Sequence, residues 1–411
     1  MTDTTAANRS VVWEEGERSR YPHFVYALHE STAGTILAYC EARIGRGDAD
    51  PHDLVLKRGT GGDDGALRWG QNIIIDNGDV DGGLCWANPT AITDRRTGRL
   101  LVLYALNDGS RNQSTSRVFV RLSDDDGQSW SARTELTSLF DEAPHRWTFH
   151  FPGPGHGIQL SRQPSTRLNG RLVVQFWHRR ALSSEPRSYG ASVIFSDDGG
   201  DTWQTGGHCG VGMNMNESRL VELGDGTIVL NARGSKDGGL DNRHERITSH
   251  SVDGGVSFAA PQQRGSLRHT PCDAGLVRVD HEGRELLIYS HPGRMDTRDE
   301  LTISISDDLG RSWIGSHVVD AERAWYSDLV LRSNGRVGVL WGQGRPCKVH
   351  DGWGPARVVY QEYGLDALLS LCQRQGRQPT AVSGRRTTGG HASREAGSAP
   401  SGPTLTCRAP N

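Results

Sequence analysis

With 411 residues, 46 Lys and Arg against 49 Asp and Glu, and a formal net charge of −3, the chain has no global field to draw it to nucleic acid or an anionic membrane surface. Its 52 glycines far exceed the usual share of about 7%, so many tight turns, and hence many short strands, are expected. The seven cysteines (Cys40, Cys85, Cys209, Cys272, Cys347, Cys372 and Cys407) are widely spaced without a CxxC pair, which argues against both a disulfide framework and a zinc site.

In chain order, MTDTTAANRSVVWEEGERSR at 1–20 lacks the apolar core of a signal peptide, so the chain as written is expected in the cytoplasm, and outside the cell if a leader precedes it. Residues 1–10 are expected to be flexible. Short apolar or alternating runs follow: HFVYAL, TILAYCEAR, DLVLKR, LLVLYAL, RVFVRLS, RLVVQFW, SVIFS, TIVLNAR, ELLIYS, LTISIS, DLVLRS and RVGVLW. Nearly all are bounded by Gly, Asp, Asn or Ser, the punctuation of strands. Helical periodicity is confined to LDALLSLCQ at 365–373, and no run nears the ~18 apolar residues of a membrane span. The class is all-β. From 372 to 411 the composition turns to Gly, Ser, Pro, Thr and Arg, and this tail cannot bury enough surface to offset its chain entropy.

Four octapeptides punctuate the strands: SDDDGQSW at 123–130, SDDGGDTW at 196–203, SVDGGVSF at 251–258 and SDDLGRSW at 306–313. KRGTGGDDGALRW at 57–69 reads as a worn copy that keeps Trp69. A calcium loop of the EF-hand type needs twelve residues and a closing Glu, which these lack. Ser and Asp can instead bond their own backbone, Gly supplies positive φ, and the aromatic packs beneath, which describes a self-satisfied hairpin turn. Starts separated by 73, 55 and 55 residues suit repeated four-stranded units, and five beats fit six blades of a β-propeller over residues 11–371, one blade lacking the turn.

Ser-x-Asp-x-Gly-x-x-Trp resembles the Asp-box of the sialidases (neuraminidases), six-bladed propellers whose boxes lie away from the active site. Other stretches carry the resemblance across residues 11–371, among them NPTAITDRRTGRLLVLY at 88–104, FPGPGHGIQL at 151–160 and GRLVVQFWHRR at 170–180. The resemblance implies an exo-α-sialidase that hydrolyses terminal sialic acids from glycoconjugates with retention, needing neither metal nor organic cofactor. Its alternatives are a glycosidase for a deaminated sialic acid (KDN), a sialyl transferase on the same fold, or a non-catalytic glycan-binding propeller. The partners it implies are sialylated glycans, with no nucleic acid or membrane and a monomer as the plausible state.

The substrate's carboxylate calls for arginine forks. SRYPHFVYAL resembles the family's Arg-Ile-Pro opening and places Arg20 there, with Tyr21 in place of Ile. NESRLVELGDGTIVLNARG places Glu217 and Arg233, and HPGRMDTRDELTISISDD places Arg298, with Arg294 as the alternative. A carboxylate nucleophile would meet the substrate's own carboxylate at a cost of about 4 kcal/mol at about 4 Å and an effective dielectric near 20. A neutral phenol avoids this cost but needs a base in contact. AWYSDLVLRSNGRVGVLW resembles the family's tyrosine segment and makes Tyr326 the nucleophile, with Glu217 as its base. EARIGRGDADPHDLVLKR resembles the loop of the acid/base, assigned to Asp48 with Asp50 as alternative. Asn88 and Trp86 are expected to line the pocket, or else to be buried strand ends. His145, His150 and His156 have no metal-ligand spacing and read as loop or rim residues. Gly342 stands where many members carry a Glu that supports the first arginine.

Overall fold

The computed structural model describes residues 9–375 apart from 46, 63–65, 80–82, 108–114, 142–146, 180–188, 211, 238–239, 265–269 and 345–353. Contacts divide the chain into a unit of residues 1–377 and a second of 378–411, and the second lies outside the described residues, as do His145, Cys347 and Cys407. The described unit is all-β but for two short 3₁₀ turns and one helix, α1 (Leu365–Gln375).

Most strands pair antiparallel in runs of three or four, the first two runs being joined where His52 pairs with Cys85. After β1 (Arg9–Glu14), the first group is β2 (His23–Glu30), β3 (Ile36–Arg43) and β4 (His52–Gly61), with β5 (Leu67–Trp69) and β6 (Ile73–Asp76) sharing its outer edge. The second is β7 (Cys85–Thr93), β8 (Leu100–Asn107), β9 (Ser116–Ser123) and β10 (Thr134–Glu135). In the third, β11 (Phe149–Pro152) pairs with β14 (Leu172–Arg179), which continues into β15 (Tyr189–Ser196) and β16 (Gln204–Cys209); the short β12 (Gly155–His156) and β13 (Ile158–Gln159) run beside β7 and β14. β17 (Ser218–Glu222) and β18 (Ile228–Arg233) lead, past the small ribbon β19 (Lys236–Asp237) and β20 (Leu240–Asp241), to β21 (Arg246–Ser251) and β22 (Gln262–Arg264). A seven-stranded sheet holds the rest: β23 (Gly275–His281), β24 (Arg284–Pro292), β25 (Asp299–Ser306), β26 (Gly315–Leu331), β27 (Arg336–Gly344), β28 (Arg357–Gly364) and finally β1. Its long β26 pairs with β25 through its first half and with β27 through its second, so one strand closes one group and opens the next.

Cores lie between neighbouring groups. Leu54 and Leu56 meet Leu100 and Val102, for example, while Leu172 and Ile194 meet Leu101 and Val120. Both faces of a middle strand are therefore buried, which is why LLVLYAL reads as a continuous apolar run rather than an alternating one. Successive groups touch through β2 and β7, β7 and β11, β14 and β17, β17 and β23, and β23 and β26, and β26 touches β2 again. The helix α1 covers one such core with Leu368, Leu369 and Cys372, beyond the boundary that composition placed at 372. At the other end Arg9 lies within β1, hydrogen-bonded to Asp320 at 2.5 Å and set over the Trp341 ring.

Each octapeptide is the turn from the third strand of a group to its fourth. In the second of them Ser196 Oγ donates to Asp198 Oδ1 (2.8 Å) and accepts the Gly200 N–H (2.8 Å), while Asp198 Oδ1 accepts the Thr202 N–H (2.9 Å). Trp203 is buried beneath and donates to the Gly200 carbonyl. The same bonds recur at Ser123, Asp125 and Gly127, at Ser251, Asp253 and Gly255, and at Ser306, Asp308 and Gly310. Gly200 has φ +92° and Gly127 +80°, a conformation that other residues adopt at a cost. The turn of the worn copy falls partly on residues 63–65, outside the described residues, but its Trp69 donates to Ser10 Oγ (2.9 Å) and packs on Tyr360. The group without a box is completed by β1 from the N-terminus, so no third-to-fourth turn exists in it. Hydrogen bonds from Ser129 hold the equivalent Asp125 down at about 2. Asp198→Ala is accordingly expected to cost about 1–2 kcal/mol in denaturant titrations and to leave turnover per folded molecule unchanged.

Candidate active site

Three strands break register beside one cavity. β2 slips between Phe24 and Ala27, β7 between Ala87 and Thr90, and β26 between Ala324 and Ser327. The irregular residues Phe24, Val25, Ala87, Asn88, Trp325 and Tyr326 all line a cavity of about 680 Å³. Bulges of this kind re-aim side chains beside active sites. Val25 (φ +50°) and Asn88 (φ +56°) are held in the left-handed region, which for a β-branched valine is strained and persists only where its surroundings enforce it.

Tyr326 is buried in this cavity and its hydroxyl donates to Glu217 Oε1 at 2.8 Å. Glu217 Oε2 is ion-paired with Arg233 Nε at 2.8 Å, and the two residues are also joined through the backbone, Arg233 N–H to Glu217 O (3.0 Å). Glu217 stands just ahead of β17 and Arg233 ends β18, so the pairing of those two strands sets the contact. Burial, then the Glu217 charge, push the Tyr326 phenol well above its ordinary value, against the opposing pull of Arg233 and Arg298. The resting phenol is therefore protonated, and any attack by its oxygen requires the proton to pass to Glu217 in the same step.

Arg298 lines the cavity, donates through Nε and Nη2 to the Pro271 carbonyl (3.2 and 2.9 Å) and faces the rings of Trp325 and Tyr326. Among the described residues no carboxylate pairs with it, so its charge is available to an anionic ligand. The alternative, Arg294, is exposed and pairs with Glu300 away from the cavity.

Arg20 is not in the cavity wall. It lies exposed in the turn before β2, its guanidinium 5.9 Å from the centre of the Tyr21 ring. The Arg20 and Tyr21 N–H groups both donate to the Arg43 carbonyl (3.1 and 3.0 Å), and the guanidinium that does line the cavity at this place is that of Arg43. A side chain at Gly342 would bring its Cβ within 2.4 Å of the Tyr26 hydroxyl, so Tyr26 occupies the space where a supporting Glu would have to stand.

Asp48 lines the rim with its side chain 73% exposed and accepts from Arg43 Nη1 at 2.9 Å. Asp50 instead caps the Gly47 N–H (2.6 Å) and is absent from the wall. Crowding by protein opposes ionisation of Asp48, but the charge and hydrogen bond of Arg43 outweigh it, with His52 and Arg233 adding, and hold the carboxyl below the usual aspartate value. Arg43 also donates to Glu41 Oε2 (2.9 and 3.3 Å) and lies 4.5 Å over the Phe24 ring. Burial, only partly offset by Arg43, pushes Glu41 up to about 7.

Asn88 lines the cavity, receiving its place from the bulge; its N–H donates to Glu41 Oε1 and its side-chain amide to the Pro152 carbonyl, both at 3.0 Å. Trp86 does not. A strand shows alternate residues to one face, and with Ala87 facing the cavity Trp86 points into the core beside it, donating to the Asn77 carbonyl (3.0 Å) within a separate hollow of about 370 Å³. His150 is likewise no rim residue: it is buried in β11, stacked on Phe140 at 4.5 Å, with its Nδ1 2.9 Å from that of His178. His156 Nδ1 lies 3.2 Å from Asp328. Among the described residues no group of three or more His, Cys, Asp or Glu is disposed to hold a metal ion.

A wall missed by the sequence reading closes the far side: Phe149, Phe151, Trp177 and Tyr189 pack together, with the Arg179 guanidinium 4.0 Å over Phe149. The cavity thus combines a phenol–carboxylate pair, inward guanidinium groups, an exposed acid and an apolar flank.

A family model described as a BNR repeat-like domain matches residues 34–339. The chain is 28% identical over 375 residues to a sialidase of Micromonospora viridifaciens, covering 86% of this chain and 53% of that protein. To a sialidase of Bacteroides fragilis it is 28% identical over 342 residues, covering 76% and 58%. It thus spans little more than half the length of those two, whereas it matches 91% of rat sialidase-2, at 28% identity over 375 residues. Among solved structures, Hadza microbial sialidase Hz136 superposes with a TM-score of 0.72 at 24% identity, covering 88% of this chain and 69% of that one. An intramolecular trans-sialidase from Ruminococcus gnavus gives 0.70 at 15% identity, covering 87% and 98%. At these identities the superpositions speak to the fold.

Proposed function

The chain belongs to the BNR repeat-like domain family, among sialidases of the bacterial type, and from that premise we propose that it is an exo-α-sialidase built as a six-bladed β-propeller. The strand groups described above, with contacts that run from β2 around to β26 and back to β2, support the propeller. The substrates of this reading are terminal α-linked sialic acids of glycoconjugates.

One observation carries the activity: the buried Tyr326 hydroxyl on Glu217, braced by Arg233 and beside the carboxylate-free Arg298. A bound sugar carboxylate balances Arg298 and draws on Arg233 and Arg43. The Tyr326 oxygen then attacks the anomeric carbon as its proton moves to Glu217, and Asp48 gives a proton to the departing oxygen. Water, deprotonated by Asp48, releases the sugar with retention, the tyrosine variant of the two-step glycosidase scheme that sialidases use. The attack is made by a group that is neutral in the resting site, so the substrate's own anion does not repel it.

The test is release of a fluorogenic aglycone from an α-sialoside and from its deaminated analogue. Turnover is expected, with kcat/KM lowered about 100-fold by Arg298→Ala, since one charge-assisted fork is worth roughly 2–3 kcal/mol, and unchanged within about twofold by Arg294→Ala. A folded wild-type protein that cleaves neither glycoside would refute the enzyme reading.

A further inference from the structure

We infer that Arg43 is a positioning residue that clamps Asp48 in the empty site and yields it when the substrate's carboxylate arrives, so that binding itself loads the acid with its proton. This rests on the sialidase reading. The two ends of the Arg43 clamp differ. Its Glu41 partner is buried, accepts the Asn88 N–H and lies 3.5 Å from His52 Nδ1, so it has no freedom to leave. Its Asp48 partner is a single 2.9 Å contact to a side chain 73% exposed.

The Asp48 backbone is fixed, its carbonyl accepting from Asn107 Nδ2 and facing Cys85 Sγ, both at 3.3 Å, while His52 Nε2 stands 3.1 Å from the Gly47 carbonyl. Only the carboxyl group can swing. Arg43, His52 and Arg233 favour its ionised form; Glu41 across Arg43, Asp50 on the same loop and the buried Cys85 thiol complete its surroundings. In the empty site Asp48 is therefore a carboxylate, the wrong form for protonating a leaving group. An anion entering beside Arg43, Arg233 and Arg298 competes for Arg43 Nη1, the nitrogen that holds Asp48, and repels the carboxylate, and losing an opposite charge at such range raises a carboxyl by about one to three pH units. The proton comes from solvent onto Asp48 and leaves on the aglycone oxygen, so charge and atoms balance.

Two measurements test this. Calorimetric titration with the 2,3-unsaturated sialic acid analogue near pH 5.5, in buffers of unlike ionisation heat, should show uptake of about half a proton or more per site, lost in Asp48→Asn. In the pH profiles, the alkaline limb of kcat should lie at least about one unit above that of kcat/KM, because the first reports the complex and the second the free enzyme; Arg43→Gln should narrow the gap. Tight binding without proton uptake, or coincident limbs in the wild type, would overturn the clamp while leaving the sialidase reading intact. Uptake that persists in Asp48→Asn but vanishes in Glu41→Gln would move the proton to Glu41 and overturn it equally. Failure of the folded protein both to bind the analogue and to cleave the α-sialoside would sink the sialidase reading and the clamp with it.

Discussion

Tyr326→Phe is expected to lower kcat for an α-sialoside by about 10³-fold or more, roughly 4 kcal/mol of transition-state stabilisation, while the affinity for the unreactive 2,3-unsaturated analogue changes by less than about threefold. The substitution removes one oxygen and keeps the ring. The ring is what packs the wall, and the Arg298 guanidinium would still lie over it at about the present 5.4 Å. The fold loses the single hydrogen bond to Glu217 Oε1, whose carboxylate keeps Arg233 at 2.8 Å. A cost of about 1–2 kcal/mol in denaturant titrations is consistent with that loss. A structural aromatic would lose the same hydrogen bond and the same stability but leave kcat nearly unchanged. Activity within about tenfold of wild type would remove Tyr326 from the nucleophile's role.

The parts legible in the sequence are those whose partners lie close along the chain. Each Asp-box satisfies itself within eight residues, as Ser196, Asp198, Gly200 and Thr202 do, so its octapeptide suffices to identify a turn and, through its spacing, a repeat. Tyr326, Glu217, Arg233 and Arg298 were placed by resemblance of their segments, and the cavity brings all four together. Which charged side chain turns inward is a different matter. Arg20 and Arg43 differ in that β3 is paired on both sides, so its Glu41 and Arg43, two apart on one face, are buried and must neutralise one another. That alternation in TILAYCEAR was readable: two opposite charges on one face of an otherwise apolar strand announce a paired, buried site. The bulges at Val25, Asn88 and Tyr326 were not, because each depends on a partner strand distant in sequence. Of the two roles open to Trp86 the structure shows the buried one, and the sequence could not choose between them for the same reason, since the bulge after it decides which residues of β7 reach the cavity.

Arg219→Leu is expected to destabilise the protein by about 3–5 kcal/mol, because it strands two buried carboxylates. Arg219 is fully buried, its Nη2 2.5 Å from Asp273 Oδ2 and its Nε 3.4 Å from Asp328 Oδ1. Gly155 exists to admit it: a Cβ there would fall 2.4 Å from the guanidinium carbon. Glu217 and Tyr326 lie two residues before Arg219 and Asp328 along their respective segments, so this ion cluster joins the two segments whose phenol–carboxylate contact the chemistry requires. Burial raises the proton affinity of Asp273 even with Arg219 present. Without that cation the carboxyl rises further. A group with a raised folded pKa favours the fold when protonated and costs stability as the pH climbs through that pKa. The deficit of Arg219→Leu, read by denaturant titration, should therefore be largest at alkaline pH and shrink as the solution is acidified. The two carboxylates should also separate under a second substitution. Asp328 accepts the Leu28 and Leu329 N–H groups at 2.9 Å each and has His156 at 3.2 Å, so a leucine in its place would orphan backbone donors. Asp273 has one oxygen buried without a hydrogen-bond partner among the described residues. Adding Asp273→Leu to Arg219→Leu should thus recover part of the lost stability, whereas adding Asp328→Leu should deepen the loss.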